Sequence, residues 1–386
     1  MRILVISDLP QFVVGGAEMQ ASRLIQAWLD RGHEVICCGR RMGADSVQIG
    51  RHTIRTHRIR VVQQLGRPGR ALSYFLSLAV LLARYRSWPD VIYTRFLNEA
   101  AATAALLKQF GVLHCALVPT PANAGVNGDD KVIGALPFHR RLVRVLDAQC
   151  NAINLIAPAM ADDLRALGFS GTSFRFIPNG IDLPPPAERG DTGTLRLIFV
   201  GRLAWQKGLD RLLQALSVAA SATGRQFELQ IVGDGPDRQA LETLATRLGL
   251  AGKVIMLGEK RQGEVQELLR QSDVFVLPSR YEGLSNAGLE AMACGLPLLL
   301  TRCGGLDSYL DQDSGWIIPT DDDTALAEAL RDILTTPRQA LQEMGLKARE
   351  IARRNFAMSE VAERYLALFD TLRLQQAGKP QDADAV

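Results

Sequence analysis

The residues with the clearest chemistry are two glutamates, Glu282 and Glu290, which flank the start of a predicted helix. Carboxylates accept hydrogen bonds from hydroxyl groups such as those of a polyol. Backbone amides at a helix start bind anions, and Gly283, directly after the first glutamate, lets a ligand approach the backbone closely. These residues therefore predict a site for a ligand that is part phosphate and part polyol.

The elements that must position these glutamates are a strand, a loop and a helix. The apolar run 274–277 predicts a buried strand. Ser285 and Asn286 are types that favour a helix start, and Gly295 predicts its end. Two glutamates eight residues apart commonly form only a solvated helix face. The whole string EGLSNAGLEAMACGLP after a strand is far more specific.

This segment resembles the Glu-x7-Glu motif of the retaining GT-B glycosyltransferases of family 4. The resemblance implies that Glu282 faces the donor sugar and that Glu290 binds the nucleotide ribose. It also implies that the donor diphosphate is held by the backbone amides of four consecutive residues, Gly283, Leu284, Ser285 and Asn286.

Two cations, Arg202 and Lys207, follow the predicted strand 195–200 and so leave the carboxyl end of a strand. Cations in a loop are usually just solvated, but these two match the family pattern G-R-x4-K-G. Together they could neutralise a leaving diphosphate without a metal. We therefore expect Arg202, Lys207 and Glu282 to be catalytic. We expect no metal site, because the sequence has no D-x-D at a strand end and no histidine cluster.

A second glycine-rich loop follows the first predicted strand and contains Gly15 and Gly16. Free amides before a helix suit an anion, although a glycine pair is more often only a turn. The loop is not a G-x-G-x-x-G fingerprint. It resembles the GGAE loop of the family, whose amides face the donor phosphates from the opposite domain. The resemblance therefore adds Gly15 and Gly16 to the expected binding residues.

One feature of the family is missing from the first half of the chain. Many members carry a histidine after the fourth strand, whereas the region 117–130 has none and His114 lies too early. Gly128 and Asp129 look similar to a loop that replaces the histidine in some relatives. Arg95 follows another predicted strand and is expected to bind an anionic acceptor, Asp129 or an ordinary salt-bridge partner.

Strand-like runs alternate with helical patterns twice along the chain, which predicts parallel sheets covered on both faces. The second set includes the runs 195–200, 227–232, 274–277 and 298–301. The expected fold class is α/β of the GT-B type, with two doubly wound Rossmann-like domains facing across a cleft. Polar residues rich in proline and glycine at 181–193 predict the linker between them.

The expected domains are an N-terminal acceptor-binding domain at 1–183 and a C-terminal nucleotide-sugar-binding domain at 184–358. By resemblance, a helix at about 359–376 packs back on the N-terminal domain, followed by a frayed tail at 377–386. The chain of 386 residues is long enough for two such domains. The longest apolar run, 71–83, is too short to span a bilayer.

Charge is distributed unevenly along the chain. Residues 1–180 carry 21 Lys and Arg against 12 Asp and Glu, whereas the remainder carries 23 against 29. The basic half favours an anionic partner or is ordinary solvated surface. Basic stretches at 84–86 and 140–144 suggest peripheral contact with an anionic membrane, while arginines at helix ends also complement the helix dipole.

The resemblance to family 4 implies a retaining, metal-independent hexosyltransferase that acts in cell-surface polysaccharide or lipopolysaccharide synthesis. The expected partners are a nucleotide-sugar donor, a UDP- or GDP-sugar, and a glycan or lipid-linked acceptor. No cofactor and no nucleic acid are expected. The expected location is the cytoplasm, including the inner face of the cell membrane. Alternatives are a nucleotide-sugar epimerase of GT-B fold, a dinucleotide oxidoreductase and a non-catalytic nucleotide-sugar-binding protein.

Overall fold

The structure is a computed structural model that describes residues 1–13, 15–122, 128–136, 138–185, 190 and 193–377. Of the region 117–130, which lacks the family histidine, residues 123–127 lie outside the described residues, whereas Gly128 and Asp129 lie at the start of the helix Asp129–Gly134. Most of the second half of the expected linker and the C-terminal tail from residue 378 also lie outside the described residues.

The chain forms two compact units. The first comprises Met1–Gly180 together with the segment that begins at Met358, and the second is Ile181–Ala357. The observed boundaries therefore fall after Gly180 and after Ala357. Each unit is built around its own six-stranded sheet.

The first unit begins with these elements: β1 (Arg2–Ile6), α1 (Gly16–Asp30), β2 (Glu34–Gly39), β3 (Ser46–Ile49), β4 (His52–Arg58), α2 (Gly66–Arg84), β5 (Val91–Arg95), α3 (Glu99–Gln109), β6 (Ala116–Thr120), α4 (Asp129–Gly134), α5 (His139–Gln149), β7 (Ile153–Leu155), α6 (Met160–Leu167) and β8 (Phe174–Phe176). The second unit contains β9 (Leu195–Val200), α7 (Leu209–Thr223), β10 (Phe227–Val232), α8 (Arg238–Arg247), β11 (Val254–Gly258), α9 (Gln262–Gln271), β12 (Val274–Leu277), α10 (Asn286–Ala293), β13 (Leu298–Thr301), β14 (Gly315–Ile318), α11 (Asp323–Thr335) and α12 (Arg338–Phe356). The last helix, α13 (Met358–Ala377), belongs to the first unit.

The second sheet has the strand order β11-β10-β9-β12-β13-β14, and all its pairs are parallel. Chain order reverses between β9 and β12, and open parallel sheets bind ligands at the carboxyl ends of the strands at such a point. The first sheet has the order β3-β4-β2-β1-β5-β6, so its reversal lies between β1 and β5. The topology thus gives each unit one preferred place for a ligand.

A hairpin at the edge of the first sheet was not predicted from the sequence. Strands β3 and β4 pair antiparallel, and β4 then pairs parallel with β2. In β4 only Ile54 and Thr56 are buried, whereas the remaining residues are polar and at least partly exposed. Such a strand has no continuous apolar run, and its pattern resembles that of a loop.

The core of the first unit joins its N-terminal and C-terminal segments. Trp28 of α1, Tyr93 of β5 and Phe369 of α13 form an aromatic cluster, with 5.5 Å between the ring centroids of Trp28 and each of the other two. Tyr365 adds a fourth buried ring, and its hydroxyl accepts a hydrogen bond from Asn154 Nδ2 at 2.7 Å. Helix α13 is therefore an integral part of this core.

Candidate functional site

Two loops leave the carboxyl ends of β9 and β12 side by side. The backbone amide of Arg280 donates to the carbonyl of Gln206 at 2.8 Å, which joins the two loops directly. Adding a Cβ to Gly208 would place it 2.1 Å from the Pro278 carbonyl oxygen, and the φ of Gly208 is +67°. Only glycine allows this close approach without strain. The sequence thus brings the two loops together at the reversal point of the sheet.

Arg280 fastens the two loops through its side chain. The guanidinium binds both carboxylate oxygens of Asp210, at 2.8 and 2.7 Å, and lies 4.6 Å from the ring centroid of Trp205. Burial acts to raise the pKa of Asp210, but the hydrogen bonds and charge of Arg280 outweigh it and hold that pKa below the ordinary value. A bidentate salt bridge of this kind fixes the relative orientation of the two side chains and also pairs their charges.

Lys207 and Glu282 meet where the two loops join. The Lys207 ammonium forms a salt bridge with Glu282 Oε2, and the Ser279 hydroxyl donates to the same oxygen at 3.3 Å. Both charged side chains remain partly accessible. The structure therefore brings two of the expected catalytic residues into direct contact. Arg202 lies in the same loop as Lys207, is exposed, and its side chain has no hydrogen-bond or ion-pair partner among the described residues.

The start of α10 presents backbone donors beside this pair. Ser285 caps the helix by accepting a hydrogen bond from the Gly288 amide at 3.2 Å, as the sequence predicts. Among the residues that the structure describes, none accepts a hydrogen bond from the backbone amides of Gly283, Leu284 or Ser285. Backbone amides at a helix start that donate to no protein acceptor attract an anion. Asn286 is the first residue of α10, and Glu290 lies within the helix, partly buried.

A third loop, after β13, supports the same site and was missed in the sequence. A Cβ on Gly305 would lie 1.7 Å from the Gly283 carbonyl oxygen, so this position also requires glycine. The amide of Gly305 donates to Asp307 Oδ1 at 2.8 Å, which holds the loop in place. The glycine pair 304–305, three residues after the end of β13, is the signal that could have identified it.

The thiol of Cys303 also lies at this junction. Its Sγ donates to the Ser279 carbonyl at 3.1 Å, and burial raises the pKa of Cys303 to about 11. A thiol with such a pKa is protonated at neutral pH and is a weak nucleophile. Cys303 therefore helps to position the strand end that carries Ser279.

The first unit has a cavity of about 560 Å³ at its own reversal point. The ends of β1, β2 and β5 line it together with one side of α2 and the start of α3, and its charged residues are Asp8, Glu18, Arg40, Arg70, Arg95 and Glu99. Arg95 is buried, and its Nη2 donates to Asn179 Oδ1 at 2.8 Å. The Asp129 carboxylate accepts from the Leu97 amide at 2.9 Å.

Gly15 and Gly16 lie in the first unit at the start of α1. Gly15 precedes the helix with an extended backbone, and Gly16 is its first residue. A Cβ on Gly15 would lie 2.1 Å from Glu18 Oε2, and Glu18 also lines the cavity. The helix start agrees with the sequence prediction, whereas the expected contact of these glycines with donor phosphates stays a prediction.

Two family models match almost the whole chain between them. The model described as Glycosyltransferase Family 4 matches residues 14–184, and that described as Glycosyl transferases group 1 matches residues 186–351. The chain is 28% identical over 293 residues to the putative colanic acid biosynthesis glycosyltransferase WcaL of Salmonella typhimurium. This match covers 73% of the chain and 71% of that protein.

Solved structures show the same fold. Sucrose-phosphate synthase from Thermosynechococcus elongatus superimposes with a TM-score of 0.77 at 21% identity, covering 97% of this chain and 99% of that one. Anabaena Alr3699/HepE in complex with UDP and glucose superimposes with a TM-score of 0.75 at 17% identity, covering 96% and 100%. The two units therefore have the GT-B architecture.

Proposed function

This chain belongs to the GT-B glycosyltransferases of family 4, and on that premise we propose that it moves a hexose from a nucleotide-sugar donor to a glycan or lipid-linked acceptor. The proposed process is the synthesis of a cell-surface polysaccharide or lipopolysaccharide, which the name of the relative WcaL supports. A UDP- or GDP-sugar is the proposed donor, and the complex of HepE with UDP and glucose supports the first of these two.

The proposal depends on the group formed by Lys207, Glu282 and the backbone amides of 283–285, which donate to no acceptor among the described residues. An ammonium group and several N–H donors at the end of a parallel sheet match the charge and oxygen atoms of a diphosphate. Arg202 adds a second cation, and its guanidinium can bind two phosphate oxygens at once. This supports the second unit as the place where the donor binds.

In the proposed reaction an acceptor hydroxyl oxygen forms a bond to the anomeric carbon, while the bond from that carbon to the diphosphate breaks. The electron pair of the broken bond stays on the diphosphate, which also takes the hydroxyl proton. Arg202, Lys207 and the amides of 283–286 stabilise the charge that develops on the leaving group. Attack on the same face from which the diphosphate leaves would retain the anomeric configuration.

The remaining roles divide between the two glutamates. Glu282, held by Lys207 and Ser279, is proposed to orient the donor sugar through its hydroxyls. Glu290 is proposed to bind the ribose hydroxyls. Because two cations and several amides supply the electrostatic stabilisation, neither a metal nor an organic cofactor has a part in the proposed reaction. Activity in excess EDTA should therefore equal activity without it, and a loss of activity would contradict this point.

The cavity of the first unit is the proposed acceptor site. It lies at the reversal point of its sheet, where ligands bind in such folds, and its volume of about 560 Å³ suits one or two sugar rings. Carboxylates and guanidinium groups on its walls can bind hydroxyls and an anionic substituent.

The proposal is tested by a thermal-shift screen of nucleotides and nucleotide sugars, followed by turnover with the donor that stabilises the protein. We expect stabilisation by one nucleoside diphosphate and its sugar, and release of that diphosphate only when acceptor is present. Release of a free epimer without acceptor would instead identify an epimerase. Binding without turnover for any acceptor would identify a non-catalytic binding protein.

A further inference from the structure

Residues 46–89 of the first unit form a long stretch whose charged residues are all positive. They include eight arginines and no aspartate or glutamate. The stretch covers the hairpin β3–β4, the following loop and the whole of α2. Asp30 of α1 forms a salt bridge with Arg51 at 3.2 Å, and the stretch itself contributes only positive charge to the surface.

One side of α2 exposes a row of large apolar side chains. Leu72, Leu76 and Val80 are 59%, 53% and 71% exposed, and they follow each other at intervals of four residues. This spacing places them on one side of the helix. Leu78 and Leu82, on the other side, are buried in the core. The row is thus additional to the side that α2 uses for folding.

Val62, in the loop before α2, is 44% exposed and extends this row. Val62, Leu76 and Val80 line one shallow groove of about 550 Å³. We call the four residues Val62, Leu72, Leu76 and Val80 the apolar face. An exposed apolar face of this kind commonly marks an interaction site.

Arginines surround the apolar face. Arg58, Arg60 and Arg84 line the same groove as Val62 and Val80, and Arg86 follows just beyond α2. Over the part of the chain that the structure describes, none of these four arginines forms an ion pair. The combination of inserted apolar side chains and surrounding guanidinium groups is the one that binds an anionic membrane surface.

From these observations we propose that the first unit docks on a bilayer containing anionic lipids through the apolar face. Within the described ranges, no helix has the length and apolar character needed to cross a membrane. The apolar side chains would enter the boundary between headgroups and acyl chains, and the arginines would bind lipid phosphates. A second copy of the chain fits this face less well. A two-fold interface would set the same patch against itself and bring the arginines of both copies together.

Docking on this side of α2 has a consequence for the acceptor. Arg70, Ala71 and Tyr74 lie on α2 and line the 560 Å³ cavity, so one helix carries both the docking residues and a wall of that cavity. An acceptor held in the bilayer would then reach the cavity along α2. This part of the inference, a lipid-linked acceptor, rests on the proposed function, whereas the docking itself does not.

The test is sedimentation of the full chain with vesicles of phosphatidylcholine alone or mixed with phosphatidylglycerol, at low and high salt. We expect binding to the mixed vesicles that is at least about tenfold stronger than binding to phosphatidylcholine and that weakens with salt. Val80→Glu should reduce this binding by about tenfold. The matched control is Val218→Glu, a valine on α7 of the second unit that is 65% exposed and should leave binding unchanged.

A second pair of variants tests the charge. Arg60→Glu together with Arg84→Glu should abolish the dependence on phosphatidylglycerol, whereas Arg247→Glu on the exposed side of α8 should not. Thermal shift by the nucleotide should be the same in every variant, so a failure of docking is distinguishable from a failure of the donor site.

Three results would overturn the proposal. The first is the absence of salt-sensitive binding of the unaltered protein to mixed vesicles. The second is an equal loss of binding in Val80→Glu and Val218→Glu. The third is a dimer, measured by light scattering, that Val80→Glu dissociates while vesicle binding is absent. That last result would assign the apolar face to a second copy of the chain.

Discussion

The sheets of both units reverse their strand order at one point, but the surroundings of that point differ between the two units. In the second unit the loops after β9, β12 and β13 are joined by backbone contacts at Gly208 and Gly305 and by the Arg280–Asp210 pair. In the first unit the equivalent place is an open cavity of about 560 Å³. The comparison suggests that one unit is preorganised for a ligand of fixed shape, a diphosphate. The other unit leaves room for an acceptor that differs among relatives.

The largest effect is expected when the two cations of the second unit are removed, which tests whether this unit binds the diphosphate. Arg202→Ala with Lys207→Ala should lower turnover by about a thousandfold or more, because the charge on the leaving diphosphate loses two donors. Steady-state kinetics with the identified donor measures the loss. Arg247→Ala, an exposed arginine on α8, serves as the control. A double variant with unchanged unfolding temperature and near-normal turnover would contradict the assignment.

The next largest effect should come from the backbone contact at Gly305. A Cβ in Gly305→Ala would overlap the Gly283 carbonyl, so the loops must separate. Overpacking of this kind costs about 1–3 kcal/mol of unfolding free energy, and we expect weaker nucleotide binding as well. Denaturant unfolding and calorimetric titration measure both. Gly263→Ala, where a Cβ meets nothing within 4 Å, should leave both unchanged or slightly raise stability.

A moderate and pH-dependent effect is expected at Asp210. Its pKa in the folded protein lies below the ordinary value of 3.8. The carboxylate therefore contributes stability above that value, and the contribution is lost as the pH falls through the lower folded-state pKa. Asp210→Asn should lower the unfolding temperature at neutral pH, and the difference from the unaltered protein should close in acid.

Thermal unfolding between neutral pH and the acid range measures this difference. Asp163→Asn, an exposed carboxylate in the first turn of α6, is the control and should show little difference at any pH. A gap for Asp210→Asn that widens below pH 3.8 would contradict the role of the Arg280–Asp210 pair.

The smallest effect is expected in the open cavity of the first unit. Arg70 is exposed there, and an exposed charge contributes little to binding. Arg70→Ala should raise the KM for the acceptor by up to about fivefold and leave the KM for the donor unchanged. Initial rates with each substrate varied in turn separate the two constants. An effect on the donor alone would reverse the roles of the two units.

Much of the second unit could be predicted from the sequence because most residues of its strands are apolar. The predicted bounds of β9, β10, β12 and β13 agree with the structure, and so does the helix start after Ser285. The hairpin β3–β4 was missed because only alternate residues of an edge strand need to be apolar. Its polar residues, such as His52 and Arg55, resemble those of a loop.

The site residues that belong to a local sequence motif could be predicted. The contacts between residues far apart in the chain could not. The G-R-x4-K-G pattern indicated Lys207 and the Glu-x7-Glu pattern indicated Glu282, but no pattern indicated that these two residues form a salt bridge. The Arg280–Asp210 pair joins residues 70 positions apart in the chain. The requirement for glycine at position 305 was overlooked because it comes from another loop. A Cβ at this position would lie 1.7 Å from the carbonyl oxygen of Gly283.

The most direct test of the donor site is a crystal structure of the protein with the nucleoside diphosphate that stabilises it in the thermal-shift screen. We expect the diphosphate within hydrogen-bond distance of Arg202, Lys207 and the amides of 283–286, with the ribose at Glu290. A diphosphate bound away from Arg202, Lys207 and those amides would contradict the assignment of the second unit as the donor site.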